Sequence, residues 1–439
     1  MAGHLLKLLA LALLGLCASA WLVPASEAVR AAGAPPAPPL GGLNISGLSS
    51  GARLSEADGE IATARALHAQ VVRVAVPWSV LEPRSPGQVE PHALAYLDRL
   101  VGDAAAGGIR VILTADSTPC WASSAPASLL RRCAPGGASK ANAWPPLDPS
   151  AYASFVAYLA ARYGTRLAAI EVWNEPDQAN EDYLAGPEKP QRYAAILRAA
   201  YPAIKQVAPG VSVLAGSLVG SNGVFLRALY AAGIKGYYDG LAVHFYNLTL
   251  GSLRAIRETQ LAAGDTKPLW LDEFGWTSCW PHRRTQQEQA CVTPQVQATN
   301  ITNLYRSLRR APYVAAAVLY GLQDGAQEDF GVLNARGARK PAFAALARVL
   351  AWPFAAPSPV TLSLRRSHGA VVASGSGPVG DYMQLEALQG SVLRYRALFT
   401  LNRFNRYSIP LPRVLGTHDL TVRVFQYWQG SGSDAQRSI

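Results

Sequence analysis

The sequence predicts a (β/α)8 barrel followed by a small antiparallel β-domain. Three observations carry this expectation. From Gly41 to about Leu350, short β-branched or apolar runs alternate with amphipathic stretches, and eight such pairs can be counted. Past Pro353 the helical stretches give way to short alternating runs separated by Gly, Pro and Ser. The expected boundaries are residues 1–20 for an export signal, 21–40 for a linker, 41–351 for the barrel and 352–439 for the β-domain. An open doubly wound sheet is the competing arrangement of the same units.

In chain order the strand candidates are Leu43 to Ser46, Val71 to Val76, Arg110 to Ala115, Ala168 to Trp173, Val211 to Gly216, Gly240 to His244, Leu269 to Glu273 and Ala316 to Tyr320. Between them the apolar positions recur at helical spacing. Leu94, Leu97, Leu100 and Val101 form one stripe before Gly107-Gly108. Tyr152, Phe155, Val156, Leu159 and Tyr163 form a second, opened by Ser150 and closed by Gly164. A third runs through Tyr193, Ile196, Leu197, Tyr201 and Ile204 to the stop at Pro209-Gly210. These stripes read as core packing.

In the C-terminal part, Val360 to Leu364, Leu393 to Leu401 and Leu420 to Tyr427 alternate as strands do. Tyr427 and Trp428 could stack on sugar rings or serve as core; Gly430 to Ile439 is expected to be loose.

The N-terminus has the form of an export signal. Met1 to Lys7 is basic, Leu8 to Leu16 is apolar, and Ala18-Ser19-Ala20 is a small-x-small cleavage site. Left uncleaved, the apolar run through Ala25 would anchor the chain to a membrane. Ala31 to Leu40 is an Ala/Pro linker. With Cys17 removed, Cys120, Cys133, Cys279 and Cys291 remain, an even number in two local pairs. Two short disulfide loops, Cys120 with Cys133 and Cys279 with Cys291, suit an oxidising compartment. Free or zinc-binding thiols are the other reading, but no C-x2-C or H-E-x-x-H spacing occurs, so neither a metal nor a cofactor is expected.

Composition narrows the function classes. Half of the residues are apolar and 16% are charged, which excludes a disordered chain. The net charge of +11 suits an acidic polysaccharide or an anionic surface. Its arginines are scattered without a basic run interleaved with aromatics, so nucleic acid is not expected as a partner.

Chemistry concentrates at two strand ends. Strand four closes with Glu171-Val172-Trp173-Asn174-Glu175-Pro176 and strand seven with Leu271-Asp272-Glu273-Phe274-Gly275-Trp276. In a barrel these ends share one mouth, so two distant carboxylates can converge on one bound molecule. Cleaving a glycosidic acetal needs such a pair, one group to protonate the leaving oxygen and one to attack the anomeric carbon. A lone Glu at a strand end is more often a solvated loop residue. The flanking residues change that balance.

The W-N-E-P and E-F-G-W strings, in this order and on these strands, resemble the clan A glycoside hydrolases, and the longer context resembles their family 39-like bacterial members. The match includes Arg73-Val74-Ala75-Val76-Pro77-Trp78 with Glu82-Pro83, Thr118-Pro119-Cys120-Trp121-Ala122, Ala215-Gly216-Ser217, Val243-His244-Phe245-Tyr246, and Phe330-Gly331-Val332 with Lys340-Pro341-Ala342. The resemblance implies an oligo- or polysaccharide substrate, with Glu175 as general acid/base and Glu273 as nucleophile of a retaining mechanism. Carboxyl groups about 5 to 5.5 Å apart suit retention, and an ionised Glu273 is expected to raise the pKa of Glu175.

Supporting roles follow from it. Asn174 is expected to donate to the sugar 2-hydroxyl, His244 and Tyr246 to orient the nucleophile, and Trp78, Trp121 and Trp276 either to offer platforms for sugar rings or to be buried. Arg73 and Glu171 are expected to pair inside the barrel, since a buried charge without a partner is costly. Tyr320 stands where many clan A enzymes have tryptophan. Asp272 should face away from Glu273 by the period-two rule, which makes Asp272, like Asp177, a poorer candidate. Gly47-Leu48-Ser49-Ser50-Gly51 fits a nucleophile elbow and Gly375 to Gly380 a dinucleotide loop; both read as turns.

Overall fold

The computed structural model describes residues 39–220, 222–246, 253–279, 291–308, 311, 313–325, 328–351, 359–367, 369–377, 382–402, 404–415, 418–426 and 435–439. The expected signal segment, most of the linker, Tyr427 and Trp428 lie outside the described residues. Eight parallel strands close into a barrel in chain order. They are β1 Leu40–Asn44, β2 Val71–Pro77, β3 Arg110–Asp116, β4 Leu167–Val172, β5 Ser212–Leu218, β6 Gly240–Tyr246, β7 Leu269–Gly275 and β8 Val314–Leu319. β1 begins three residues before the expected start, where it pairs with both β2 and β8 to seal the cylinder. Gly42 is required there, because a Cβ would lie 1.7 Å from the Val71 carbonyl oxygen.

The helices form because their apolar residues repeat on one side. In helix Pro91–Ala106, Leu97, Leu100, Val101 and Ala104 are buried, and the Glu90 carboxylate accepts from the first free amides. Helices Pro149–Tyr163 and Lys189–Val207 bury the two other stripes read from the sequence. These faces and the outward residues of the strands make one large core. The barrel's interior has its own plug: Val71, Ile112, Ala169, Leu214, Ala242, Trp270, Ala316 and Val318 fill its lower part. One layer above, at the strand C-termini, the inward positions become charged.

The C-terminal part holds a three-stranded sheet of order β13-β10-β9 and a four-stranded sheet of order β12-β11-β14-β15. Their ranges are β9 Ser363–Ser367, β10 Ala370–Ser376, β11 Tyr382–Gln389, β12 Val392–Thr400, β13 Arg406–Pro410, β14 Leu420–Gln426 and β15 Ala435–Ser438. All pairings are antiparallel, as expected. The tail expected to be loose is corrected: residues 435–438 pair with β14 and supply the backbone bonds of its open edge. Among the described residues, no helix is long and apolar enough to cross a membrane.

Candidate active site

Arg73, on β2, is the centre around which the mouth is built. It is 4% exposed, and nearly every donor it carries is used. Nε and Nη2 grip the Glu171 carboxylate at 2.8 and 3.1 Å, Nη1 reaches Glu273 Oε1 at 2.5 Å and Asn44 Oδ1 at 2.9 Å, and Nη2 also reaches Asn174 Oδ1 at 2.9 Å. Burial alone would lower the pKa of Arg73, but Glu171, Glu273 and Asp272 together raise it well above the ordinary value. In return, Glu171 stays ionised in the barrel's interior. Burial pushes its carboxyl up, and the guanidinium more than reverses this, bringing it to about 2. Thr114 donates to it as well. The expected Arg73–Glu171 pair is therefore present as part of a larger cluster.

Glu175 follows β4 through a sharp change of chain direction, with Trp173 and Glu175 both at positive φ. That turn brings Asn174 and Glu175 over the barrel axis. Glu273 arrives from β7, where the register against both β6 and β8 slips by one residue. The slip is a β-bulge, in which two successive residues of one strand oppose a single partner position. It corrects the expectation for Asp272. Trp270 and Asp272 point inward by strict alternation, and the extra residue turns Glu273 inward too. Asp272 is fully buried, with Oδ2 3.3 Å from Arg73 Nε and 3.8 Å from His244 Nε2.

His244, on β6, joins the two glutamates. Its Nδ1 lies 2.6 Å from Glu175 Oε1 and 3.3 Å from Glu273 Oε2. Tyr246 donates to Glu273 Oε2 at 2.5 Å. Carboxylate oxygens of Glu175 and Glu273 and the imidazole nitrogen all fall within 4.8 Å of one another. Burial disfavours the imidazolium, yet Glu273, Asp272 and Glu175 around it raise its pKa well above the ordinary value. The pKa expectation for Glu175 is corrected accordingly. Burial pushes that carboxyl up, but the hydrogen bond and charge of His244 outweigh it, and the net shift is downward. Gln178 adds a bond of 2.7 Å to Glu175 Oε2.

A cleft of about 800 Å³ opens over this cluster. Arg73, Asn174, Glu273 and Tyr320 border it, together with Asn44, Asp116 and Tyr183. One arm runs between the ends of β1 and β8 and along helix Leu54–Ala66, past Arg53, Glu56, Glu60 and Thr63. Tyr320 donates to Glu328 on the rim. Asn174 Oδ1 is taken by Arg73 and Ser217, which fixes the orientation of its amide.

Of the two readings of the tryptophans, the structure favours burial over sugar platforms for Trp78 and Trp276. Trp78 is fully buried, stacks on Phe155 at 5.5 Å and donates to Glu82. Trp276 is 9% exposed and packs against Phe274. Trp121 is half-buried, meets Trp78 edge-on at 5.3 Å and donates to the Glu82 carbonyl. Among the described residues lining the cleft none is one of these three; the faces of Trp78 and Trp276 are taken by the core, and Trp121 packs partly against it. Asp177 holds the amides of Val219 and Gly220, bracing the β4 loop against the β5 loop. Cys120 is bonded to Cys133 beyond β3, and Cys279 to Cys291 beyond β7.

Sequence reasoning missed Asn44, Asp116 and Glu60. Asp116 ends β3, and burial lifts its carboxyl to about 6, with Oδ1 left without a partner. Its signal was available, as an acid at the C-terminal end of a barrel strand.

Ligand atoms of Glu171, His244 and Asp272 also gather within 4.8 Å, but both such triads share one imidazole and lie against Arg73, an arrangement of ion pairs rather than a cation cage.

A model of the cellulase family, glycosyl hydrolase family 5, matches residues 38–310. The chain belongs to this family. It is a clan A O-glycosyl hydrolase, as the strand-end strings imply. Solved structures share the fold of this family 5 chain. A family 39 glycoside hydrolase from Bacteroides cellulosilyticus is 17% identical, with a TM-score of 0.55 over 86% of this chain and 80% of that one. A family 39 enzyme from Xanthomonas axonopodis pv. citri is 16% identical, with a TM-score of 0.53 over 92% and 98%. A family 5 enzyme from Streptomyces cattleya, solved with Manβ1-4GlcNAc, is 19% identical, with a TM-score of 0.52 over 74% and 84%. No curated protein sequence matches the chain.

Proposed function

We propose that the protein is an exported retaining glycosidase that cleaves a β-linked glycan of the envelope or exopolysaccharide class by double displacement. Glu273 attacks the anomeric carbon and Glu175 protonates the departing oxygen. Glu175 then takes a proton from the water that releases the sugar. The observation that carries this reading is the approach of Glu175 and Glu273 to within 4.8 Å at His244, beside an open cleft. Such closeness leaves no room for a water between carboxylate and sugar, which inversion would need. Arg73 and Tyr246 hold the two Glu273 oxygens and orient them for attack. Two disulfides near the mouth suit an oxidising location.

The cleft refines the substrate class. Although the chain is basic, its lining carries Glu56, Glu60, Asp116, Glu273 and Glu328 against Arg53 and Arg73. A neutral glycan suits this lining better than a uronate polymer, whose charges would meet carboxylates. The test is a panel of β-linked glycans digested with wild type and Glu273→Gln. Product from the wild type, and at least about 10⁴-fold less from the variant, is expected. The first-released anomer should keep the substrate's configuration. Equal inactivity of both proteins, with glycan binding retained, would favour a binding barrel instead.

A further inference from the structure

We propose that Asp272 is the positioning residue of the proton donor, acting through His244 on Glu175. This rests on the glycosidase reading and deepens it. The β7 bulge aims two consecutive carboxyl side chains into the barrel, and the nucleophile role uses only Glu273. Asp272 is fully buried, and neither of its oxygens has a hydrogen-bond partner. His244 Nε2 is equally without one and lies 3.8 Å from Asp272 Oδ2. Two buried groups of complementary chemistry thus face each other, neither hydrogen-bonded, with Asp272 Oδ2 ion-paired to Arg73 Nε at 3.3 Å on its other side. On the opposite edge of the ring, Nδ1 touches Glu175 at 2.6 Å.

The tautomer is the reason such a residue matters. Which imidazole nitrogen keeps its hydrogen is decided by the partner of the other. An acceptor at Nε2 keeps a hydrogen there and leaves Nδ1 free to give and regain one. One proton is then shared between His244 Nδ1 and Glu175 Oε1. When the leaving oxygen draws it through Glu175, the Nδ1–H bond breaks and the oxygen–hydrogen bond of the product alcohol forms. His244 is left neutral with its hydrogen on Nε2, facing Asp272. In the second half-reaction Glu175 takes a proton from water, and that proton returns to the shared position.

The charged and titratable groups around Asp272 are Arg73 from β2, Glu171 from β4, His244 from β6 and Glu273 from its own strand. Asn44 from β1 bonds its carbonyl, and Thr114 from β3 bonds Glu171. Asp272 is a deep member of this set. Burial and the neighbouring Glu171 charge push its carboxyl up to about 7.

The test compares wild type with Asp272→Asn on 2,4-dinitrophenyl and phenyl β-glucosides, β-xylosides and β-mannosides. Dinitrophenolate leaves without protonation, whereas phenolate benefits from an acid. We expect kcat/KM to fall about 10²-fold for the phenyl glycoside and less than about threefold for the dinitrophenyl one, with the alkaline limb of the pH profile displaced. Equal slowing of both substrates, or of neither, would overturn the proposal. A second measurement does not depend on the variant's folding or on any substrate. Nitrogen-15 NMR of histidine-labelled wild type, recorded on the alkaline side of the His244 titration, should show the neutral ring protonated at Nε2, and an Nδ1–H tautomer would overturn the proposal. If the wild type cleaves no glycoside or glycan, the glycosidase reading fails, and the NMR result still decides the Asp272–His244 contact.

Discussion

Two clusters in this protein are made from the same materials and come out differently. In the C-terminal sheets, Glu386 on β11 is met by Arg396 from β12 at 3.0 Å and Arg423 from β14 at 2.6 Å, with Gln384 bonding the same carboxylate. One anion is shared by two cations, and those side chains remain 59% and 32% exposed. At the barrel mouth, Glu171, Glu175, Asp272 and Glu273 crowd around one guanidinium and one imidazole, and no side chain among them is more than 11% exposed. In the first cluster the single anion is fully paired and the surplus positive charge reaches solvent, so no proton has to be shared. The second has more carboxyl groups than cations, so protons must be held between them. Mismatch of charge under burial is what separates a site able to move a proton from a brace between strands.

Removing the central cation should break the mouth most severely. Arg73→Met leaves the buried Glu171 and Asp272 with only the His244 imidazolium as counter-charge, and a loss of about 3–5 kcal/mol is expected. Urea unfolding would measure it. The double variant Arg73→Met, Glu171→Gln should recover part of the loss, because it removes one of the stranded charges. A loss under about 1 kcal/mol for Arg73→Met would mean that the mouth is no more dependent on its cation than the β-sheets are on theirs.

How much of this contrast was legible in the sequence depends on what kind of fact each part is. The alternation of runs and stripes put Glu175 and Glu273 at one mouth, since topology alone decides which strand ends meet. The Arg73–Glu171 pair followed from the rule that buried charges need partners. Asp272 did not follow, because the β7 bulge is a matter of register and leaves no mark on composition. For the same reason the choice of His244 between Glu175 and Glu273, a difference of 0.7 Å between 2.6 and 3.3 Å, lay below any pattern of residues. Trp78 and Trp276 read as platforms because aromatic rings suit both sugars and cores, and only packing decides between them. Strands β10, β11 and β13 were missed; runs such as Ala370–Ser376 are short and rich in small residues, and Tyr382–Gln389 mixes polar and apolar residues. β15 was missed because a polar tail gains its order only from the edge that receives it.

The pH dependence of local stability should sharpen the comparison. Asp272, with a folded value near 7, contributes stability that is complete below the unfolded value of about 4 and is lost as pH rises through 7. His244 is shifted upward too, so its contribution is present below about 6.5 and is lost at higher pH. Glu386 is shifted the other way. Burial opposes its charge, Arg423 outweighs this, and its contribution is present above about 4.3 and lost only as pH falls. Hydrogen exchange followed by mass spectrometry, corrected for intrinsic rates, should therefore show protection in β6 and β7 declining from pH 5.5 to 8. Peptides from β11 and β14 should stay level. Parallel changes in both regions would remove the distinction.

The smallest effect is expected where the charges already reach solvent. Glu386→Gln keeps the side chain's shape and its contact with Gln384 while removing the anion between Arg396 and Arg423. Both guanidiniums already reach solvent, so water replaces much of what the carboxylate supplied, and the cost should be about 1 kcal/mol or less. The Gln amide, unlike the carboxylate, also offers hydrogens that would face two donors, so the Arg396 and Arg423 side chains should swing outward rather than stay in place. Raising the salt concentration should shrink the difference between wild type and variant, because exposed charges are screened at short range. Glycan cleavage should be unchanged. A loss as large as that of Arg73→Met would show instead that the sheets depend on a cation–carboxylate core as strictly as the catalytic mouth does.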